Sequence, residues 1–334
     1  MSQSPKRIDG KPAISKAADI SRRRRRTGFI IGAVVITIIL VILGVGYYQS
    51  YISPFQRIII TVDGTSIRID YFIKRTRMAG ATSISMLEAL TSEQIIKIKA
   101  PSYGIAVSPE EVTQELRTAA RGSSTTISES EFQAWYRQQL NESKLSDAEF
   151  KEIVATSLLA ARLQEYLAER VPTVAEQVHL YDILVNGYQQ AQDIKARVGK
   201  GEAFADLARE VSLDEQSKAG GGDLGWVPRG VLAPQLNSII FALNPGEVSA
   251  PVPTEAQPTE GGPYLLLMVS EKVDAKELDE NSLQMLKTRA LGNWLVEERQ
   301  FHQVTYNFTS ETAAWINWQL SKNNPSATGQ TPTP

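Results

Sequence analysis

Few side chains in this 334-residue chain have the chemistry of a metal or redox centre. Cysteine is absent, which excludes disulfides, thiolate metal sites and a Cys-linked lipid anchor. His179 and His302 are its two histidines, too few for a His-based metal cluster. The most conspicuous run is Gly220-Gly221-Gly222-Asp223-Leu224-Gly225-Trp226. Four glycines around an Asp-Leu pair describe backbone that turns tightly and packs where a Cβ would clash. No Lys-Ser or Lys-Thr follows, so a phosphate-binding loop is excluded.

The surroundings of that run give it meaning. Upstream lie Gly201-Glu202-Ala203-Phe204, Leu207-Ala208 and Val211-Ser212-Leu213-Asp214; downstream lie Arg229-Gly230, Phe241-Ala242-Leu243, Gly246-Glu247-Val248-Ser249 and Pro251-Val252. In that order and spacing, residues 176–272 resemble the parvulin (PpiC, rotamase) family of peptidyl-prolyl cis/trans isomerases. The resemblance implies a small antiparallel sheet with surrounding helices, and it implies catalysis at X–Pro bonds. Such bonds isomerise unaided over tens to hundreds of seconds, across a barrier of about 18–20 kcal/mol. The reaction needs no nucleophile, metal or cofactor, and none is expected. It needs a pocket for the proline ring and surroundings that favour the twisted amide over the planar one.

By motif position, the walls of the proline cup would be Leu232, Leu236 and Phe241. The same three residues also read as ordinary core residues of a helix from about Pro234 to Leu243. At the rim the chain departs from the family. Where most parvulins carry a His in the first strand, this chain has Asp182-Ile183-Leu184-Val185; where most carry a second His, it has Gly262-Pro263-Tyr264-Leu265-Leu266. The acidic or thiol position between them is kept as Asp214. The resemblance therefore makes Asp182, Asp214 and Tyr264 the catalytic candidates, expected within hydrogen-bond reach of one another. A protonated Asp182 would supply the donor that a His supplies elsewhere, with Tyr264 donating to the other carboxylate. The competing reading makes Asp182 a solvated strand residue and Asp214 a loop cap. His179 lies three residues before Asp182, and strand alternation points it to the opposite face. The short loop Asn186 to Gln190 has no basic cluster, so no dependence on a phosphorylated client is expected. An insertion, Ala256 to Gly261, lengthens the turn before the last strand.

The elements around this stretch set where it works. Residues 1–27 carry nine Lys/Arg and two Asp, residues 28–48 carry no charge, and residues 49–334 hold 26 basic and 35 acidic side chains. An acidic body behind a basic head argues against nucleic-acid binding. The apolar stretch Gly28 to Tyr48 is long enough for a helix of about 20 residues to span a bilayer. Arg22 to Arg26 directly before it place the N-terminus in the cytoplasm and the rest of the chain outside. A cleaved signal peptide would show a shorter apolar region and a small-residue cleavage site.

Asp63-Gly64 between two short apolar runs reads as a hairpin turn of type I′, and Asp70 as the cap of the next helix. Ser108-Pro109-Glu110-Glu111, Ser128 with Glu131, and Ser146 with Glu149 each read as capping boxes that open helices. This part resembles, more loosely, the N-terminal part of SurA- and PrsA-like extracytoplasmic foldases. Leu283, Leu286, Ala290, Leu291, Trp294 and Leu295 fall at helical spacing after the isomerase stretch, in a segment similar to the helix that packs back on those N-terminal helices.

The organisation expected is α+β: a cytoplasmic tail (1–27), a transmembrane signal anchor (28–48), helical chaperone pieces (52–175 and 276–322) with the parvulin domain (176–275) inserted, and a disordered tail (323–334). The implied function is a membrane-anchored extracytoplasmic isomerase and chaperone, touching the bilayer through residues 28–48 and acting on unfolded or exported polypeptides with X–Pro bonds. The alternatives are a non-catalytic holdase or scaffold that binds proline-containing segments, and an assembly subunit serving one membrane complex.

Overall fold

The computed structural model describes residues 33–322. The basic tail, the first residues of the expected span and the C-terminal tail lie outside the described residues. Along the chain, helix α1 (Ala33–Gln56) leads to strands β1 (Ile58–Val62) and β2 (Thr65–Arg68) and to helix α2 (Ile69–Ala79). Four helices follow: α3 (Ser83–Lys99), α4 (Pro109–Arg121), α5 (Glu129–Ser143) and α6 (Asp147–Ala168). The next segment alternates β3 (Val174–Asn186), α7 (Tyr188–Gly199), α8 (Phe204–Val211), β4 (Asp223–Pro228), α9 (Pro234–Ala242), β5 (Val252–Pro253) and β6 (Pro263–Glu277). Helix α10 (Glu280–Glu298), β7 (Val304–Tyr306) and α11 (Ser310–Ser321) complete the described chain. The fold is α+β.

Two compact units are present. One takes the described stretch up to Ile60, Ser66–Arg75 and the stretch from Tyr306; the other takes Thr61–Thr65 and Thr76–Thr305. In the first, α1 is 24 residues long and apolar enough, by length and composition, to cross a membrane. Trp315 of α11 meets Phe55 edge-on, with ring centroids 5.0 Å apart. Helix α2 begins at Ile69, so Asp70 sits in its first turn rather than ahead of it, and its carboxylate accepts from the Tyr71 N–H at 2.8 Å.

The second unit contains the helical layer and the sheet. Asp63 and Gly64 have φ of 46° and 83°, the geometry of a type I′ turn. All three capping boxes form: the Ser108, Ser128 and Ser146 hydroxyls each accept from the N–H three residues on, and each serine N–H donates to the carboxylate of that glutamate. These bonds satisfy N–H groups that a helix start leaves without partners. The layer closes with α10. Leu291, Trp294 and Leu295 pack on a core of Ile96, Ala100, Ile105 and Leu163 from α3, α6 and the segment after α3. Trp294 Nε1 donates to the Tyr103 hydroxyl at 3.1 Å. Gln164 of α6 donates to the Lys287 carbonyl at 2.6 Å and accepts from the Leu291 N–H at 2.9 Å, engaging both groups of one rung of α10.

Between α6 and α10 runs a four-stranded antiparallel sheet of order β4-β3-β6-β5. Side chains alternate across it. Ile183, Val185, Tyr264 and Leu266 face α7 and α8, packing with Ala191, Ile194, Phe204, Leu207 and Ala208. Val178, Leu180, Leu267 and Val269 face α9, packing with Ile240, Phe241 and Leu243.

Candidate active site

The glycine run seats a loop against β3. Gly221 and Gly222 have φ of 75° and 82°, where an L side chain is strained. A Cβ on Gly221 would stand 2.8 Å from Ala205 Cβ, and one on Gly222 would overlap the Asp182 carbonyl oxygen. The absent side chains let the Asp182 N–H donate to the Gly222 carbonyl at 2.8 Å, while the Gly222 N–H donates to the Ser217 carbonyl at 2.9 Å. The loop from Ser212 to Gly222 is thereby held along the edge of β3 that carries Asp182.

Asp182 alternates with Leu180 and therefore shares the α9 face. It is only 4 % exposed, so it is not a solvated strand residue. Ser217, 3 % exposed, lies between the two candidate carboxylates: its Oγ is 2.6 Å from Asp182 Oδ1 and 3.0 Å from Asp214 Oδ2. A serine hydroxyl has one proton to give. It is shared between the two carboxylates, and a proton taken up by Asp182 would add a second donor to the line. Burial pushes the Asp182 carboxyl up to about 6; the Ser217 contact opposes the rise and the neighbouring Asp214 charge reinforces it. The arrangement is a line of carboxyl, hydroxyl and carboxyl, with the Ser217 hydroxyl as the donor between Asp182 and Asp214. Asp214, half-buried, is the member nearest solvent and also accepts from the Gln216 N–H at 3.1 Å, so it caps its loop as well.

Tyr264 is not part of this line. It pairs with Val185, three residues along β3 from Asp182, and its side chain joins the α7/α8 face. Its hydroxyl donates to the Thr259 carbonyl at 3.1 Å and its ring meets Tyr188 edge-on at 5.5 Å. The expected triangle of Asp182, Asp214 and Tyr264 is thus corrected to Asp182, Ser217 and Asp214. The reason is strand parity: the β6 residues on the Asp182 face are Leu265, Leu267 and Val269, one position out of step with Tyr264. Thr259 and Glu260 belong to the insertion, whose main chain also accepts from the Tyr188 N–H at 2.9 Å. His179 points away from Asp182, as alternation requires; its ring stacks on Trp226 and its Nε2 is 3.1 Å from Asp223 Oδ1.

The three cup residues come together. Leu232 and Leu236, half-buried, and Phe241, 7 % exposed, share one cluster on the α9 face, joined by half-buried Leu265. The Arg229 guanidinium lies 4.1 Å from the centroid of the Phe241 ring and its Nε is 2.5 Å from Glu176 Oε2. A cleft of about 370 Å³ opens beside Leu232, between this turn and α10; Arg229, Pro234, Asn237, Asn293 and Val296 also line it. Among the described residues, no group of three or more His, Asp or Glu is placed to hold a metal ion.

Residues 185–257 match the family described as Rotamase, PPIC-type PPIASE domain. This chain carries a parvulin-type domain. Over 171 residues the chain is 32% identical to a foldase protein PrsA of Caldanaerobacter subterraneus, covering 51% of this chain and 53% of that protein. It is 41% identical over 83 residues to a parvulin-like PPIase of Rickettsia conorii, covering 24% and 29%. Among solved structures, a PrsA peptidylprolyl isomerase from Bacillus anthracis is 23% identical with a TM-score of 0.33, covering 71% of this chain and 96% of that one. The chain spans about half the length of the PrsA relatives it matches. The matched residues contain the glycine run, Asp214, Leu232, Leu236 and Phe241. Ser217 went unnoticed in the sequence, although it stands between Asp214 and the glycines.

Proposed function

We propose that this chain is a membrane-anchored, extracytoplasmic peptidyl-prolyl cis/trans isomerase and folding chaperone for unfolded or exported polypeptides. The observation that carries the reading is the shared face of the sheet: Asp182, which Ser217 links to Asp214, and the cluster of Leu232, Leu236, Phe241 and Leu265 both belong to the α9 side. In this mechanism the apolar cluster takes the proline ring. Asp214, polarised through Ser217 by the Asp182 acid, faces the client amide as it twists out of conjugation. The proton on Asp182 sets the polarity of the line, so catalysis declines as that proton is lost above about pH 6. The helical layer of α3 to α6 with α10 serves as the chaperone part, from residues 52–175 and the segment after 276, with the isomerase domain at 176–275 inserted. Helix α1, preceded by Arg22 to Arg26, anchors the chain with its N-terminus in the cytoplasm.

The test is an exchange assay of cis/trans interconversion in an X–Pro peptide, using the full chain in lipid nanodiscs. Acceleration that drops in Leu232→Ala supports the reading. A second reading, a non-catalytic holdase, is favoured by one observation: the β6 residues nearest Asp182 on its face, Leu265, Leu267 and Val269, are all apolar, and Lys272 further along is turned to the Phe241 carbonyl at 2.6 Å. Suppression of client aggregation without any acceleration of exchange would decide for it. Anchoring is tested separately, by protease added outside spheroplasts; protection of the bulk of the chain would refute the topology.

A further inference from the structure

The turn that carries Leu232 is held from two directions. The Gly230 N–H donates to Asn237 Oδ1 at 2.8 Å, and the Gly230 carbonyl accepts from Asn293 Nδ2 at 3.0 Å. Asn237 belongs to α9; Asn293 belongs to α10, outside the residues 185–257 that match the isomerase family. Gly230 has φ of 91°, and a Cβ there would stand 2.8 Å from Asn293 Nδ2 and 3.2 Å from Leu286 Cδ2. Helix α10 and the turn are therefore in contact through backbone that only glycine allows. On one side of the clamped peptide, the Arg229 N–H donates to the Glu176 carbonyl at 2.9 Å. On the other, buried Val231 packs with Leu278 and Leu286.

We propose that Asn293 is a positioning residue for the proline cup. Its amide fixes the Gly230 peptide plane, and through that peptide the placement of Leu232 and of the Arg229 guanidinium over Phe241. The helical layer then takes part in client recognition without touching the client through Asn293. The proposal rests on Leu232 being a wall of the cup. Because Asn293 lines the open cleft, water can replace its bond to the carbonyl when the amide is removed. Folding then survives while the turn is released, which separates a positioning role from a structural one.

The experiment compares the full chain in nanodiscs with Asn293→Ala and the isosteric Asn293→Asp, whose carboxylate cannot donate. Each is measured for KM and kcat on an X–Pro peptide, for the peptide's Kd by calorimetry, and for its thermal midpoint. KM and Kd should rise roughly tenfold, the lower range for a hydrophobic pocket contact, with kcat changed less than about twofold and an almost unmoved midpoint. Unchanged KM and Kd, or a fall in midpoint that accounts for the loss of activity, overturns the proposal. If the unaltered chain binds the peptide without turning it over, the isomerase reading fails, and the tenfold shift in Kd alone still decides the role of Asn293. If it neither binds nor turns over the peptide, both fail.

Discussion

The two faces of the β3–β6 pair come from the same strands and are built on different terms. Towards α7 and α8, Ile183, Val185 and Leu266 are wholly buried, and Tyr264 satisfies its one hydroxyl on a main-chain carbonyl a few residues away. Towards α9, the same strands present Leu180 and Leu267 together with a buried acid, Asp182, whose hydroxyl partner is delivered by a loop 35 positions on. The first face can form as soon as the strands pair with their helices. The second also depends on a glycine-lined loop arriving at one height along β3. A polar group in this sheet is thus either a local convenience or a distant construction, and the distant construction is the candidate for chemistry.

Breaking the construction should have the largest effect. Gly222→Ala forces a Cβ into the Asp182 carbonyl at positive φ. Overpacking of about 1–3 kcal/mol and a left-handed penalty of roughly 1–2 kcal/mol together predict a loss near 4 kcal/mol. Denaturant melts should show it, with the activity of the folded fraction lost as well. On the closed face, Leu266→Ala should cost about 3 kcal/mol as a core cavity. There kcat/KM per folded molecule should stay within about twofold of the unaltered chain. Equal losses of activity in the two variants would erase the distinction between the faces.

The next test concerns the proton. Asp182 binds its proton more tightly when folded, near pH 6 against an ordinary value of 3.8. The native state therefore holds an extra proton between those limits, and this group's contribution to stability falls as pH rises from about 4 through 6. A shift of this size corresponds to about 3 kcal/mol at most. Asp182→Asn keeps a donor for Ser217 and should lack that fall, so the difference between the two stability curves isolates it. Its isomerase activity should be flat across the same window. Parallel curves in both proteins would place the titrating group elsewhere. Smallest is Tyr264→Phe, which removes only the bond to Thr259 and should cost about 1 kcal/mol with no change in kcat/KM. A tenfold loss of activity there would return Tyr264 to the site.

How much of this was legible follows from the range of each signal. The capping boxes at Ser108, Ser128 and Ser146 act over three residues, and the Asp63-Gly64 turn over two; these short patterns form as read. Asp70 lies one residue inside the helix it was expected to cap, because α2 takes in Ile69 ahead of it. The apolar spacing of Leu286, Leu291 and Trp294 marked a packing helix, since periodicity shows which face is buried. Tyr264 was placed by its position in a motif, and motif order does not fix strand parity; one residue of offset moved it to the other face. Ser217 needed knowledge of which loop meets which strand. So did Asn293, which contacts a carbonyl 63 positions away.

Gln164 and its rung on α10 bear on the order in which the chain can assemble. Their partners are separated by up to 127 positions, and the whole sheet lies between them. A chain made from its N-terminus presents α3 and α6 with Ile96, Ala100 and Leu163 uncovered until Leu291 and Trp294 emerge. The sheet has time to fold first, and once folded it shortens the loop that must close to bring α10 home. Until then the nascent layer is an open apolar surface of the kind a holding protein offers others, and α10 is the segment of its own chain that fills it.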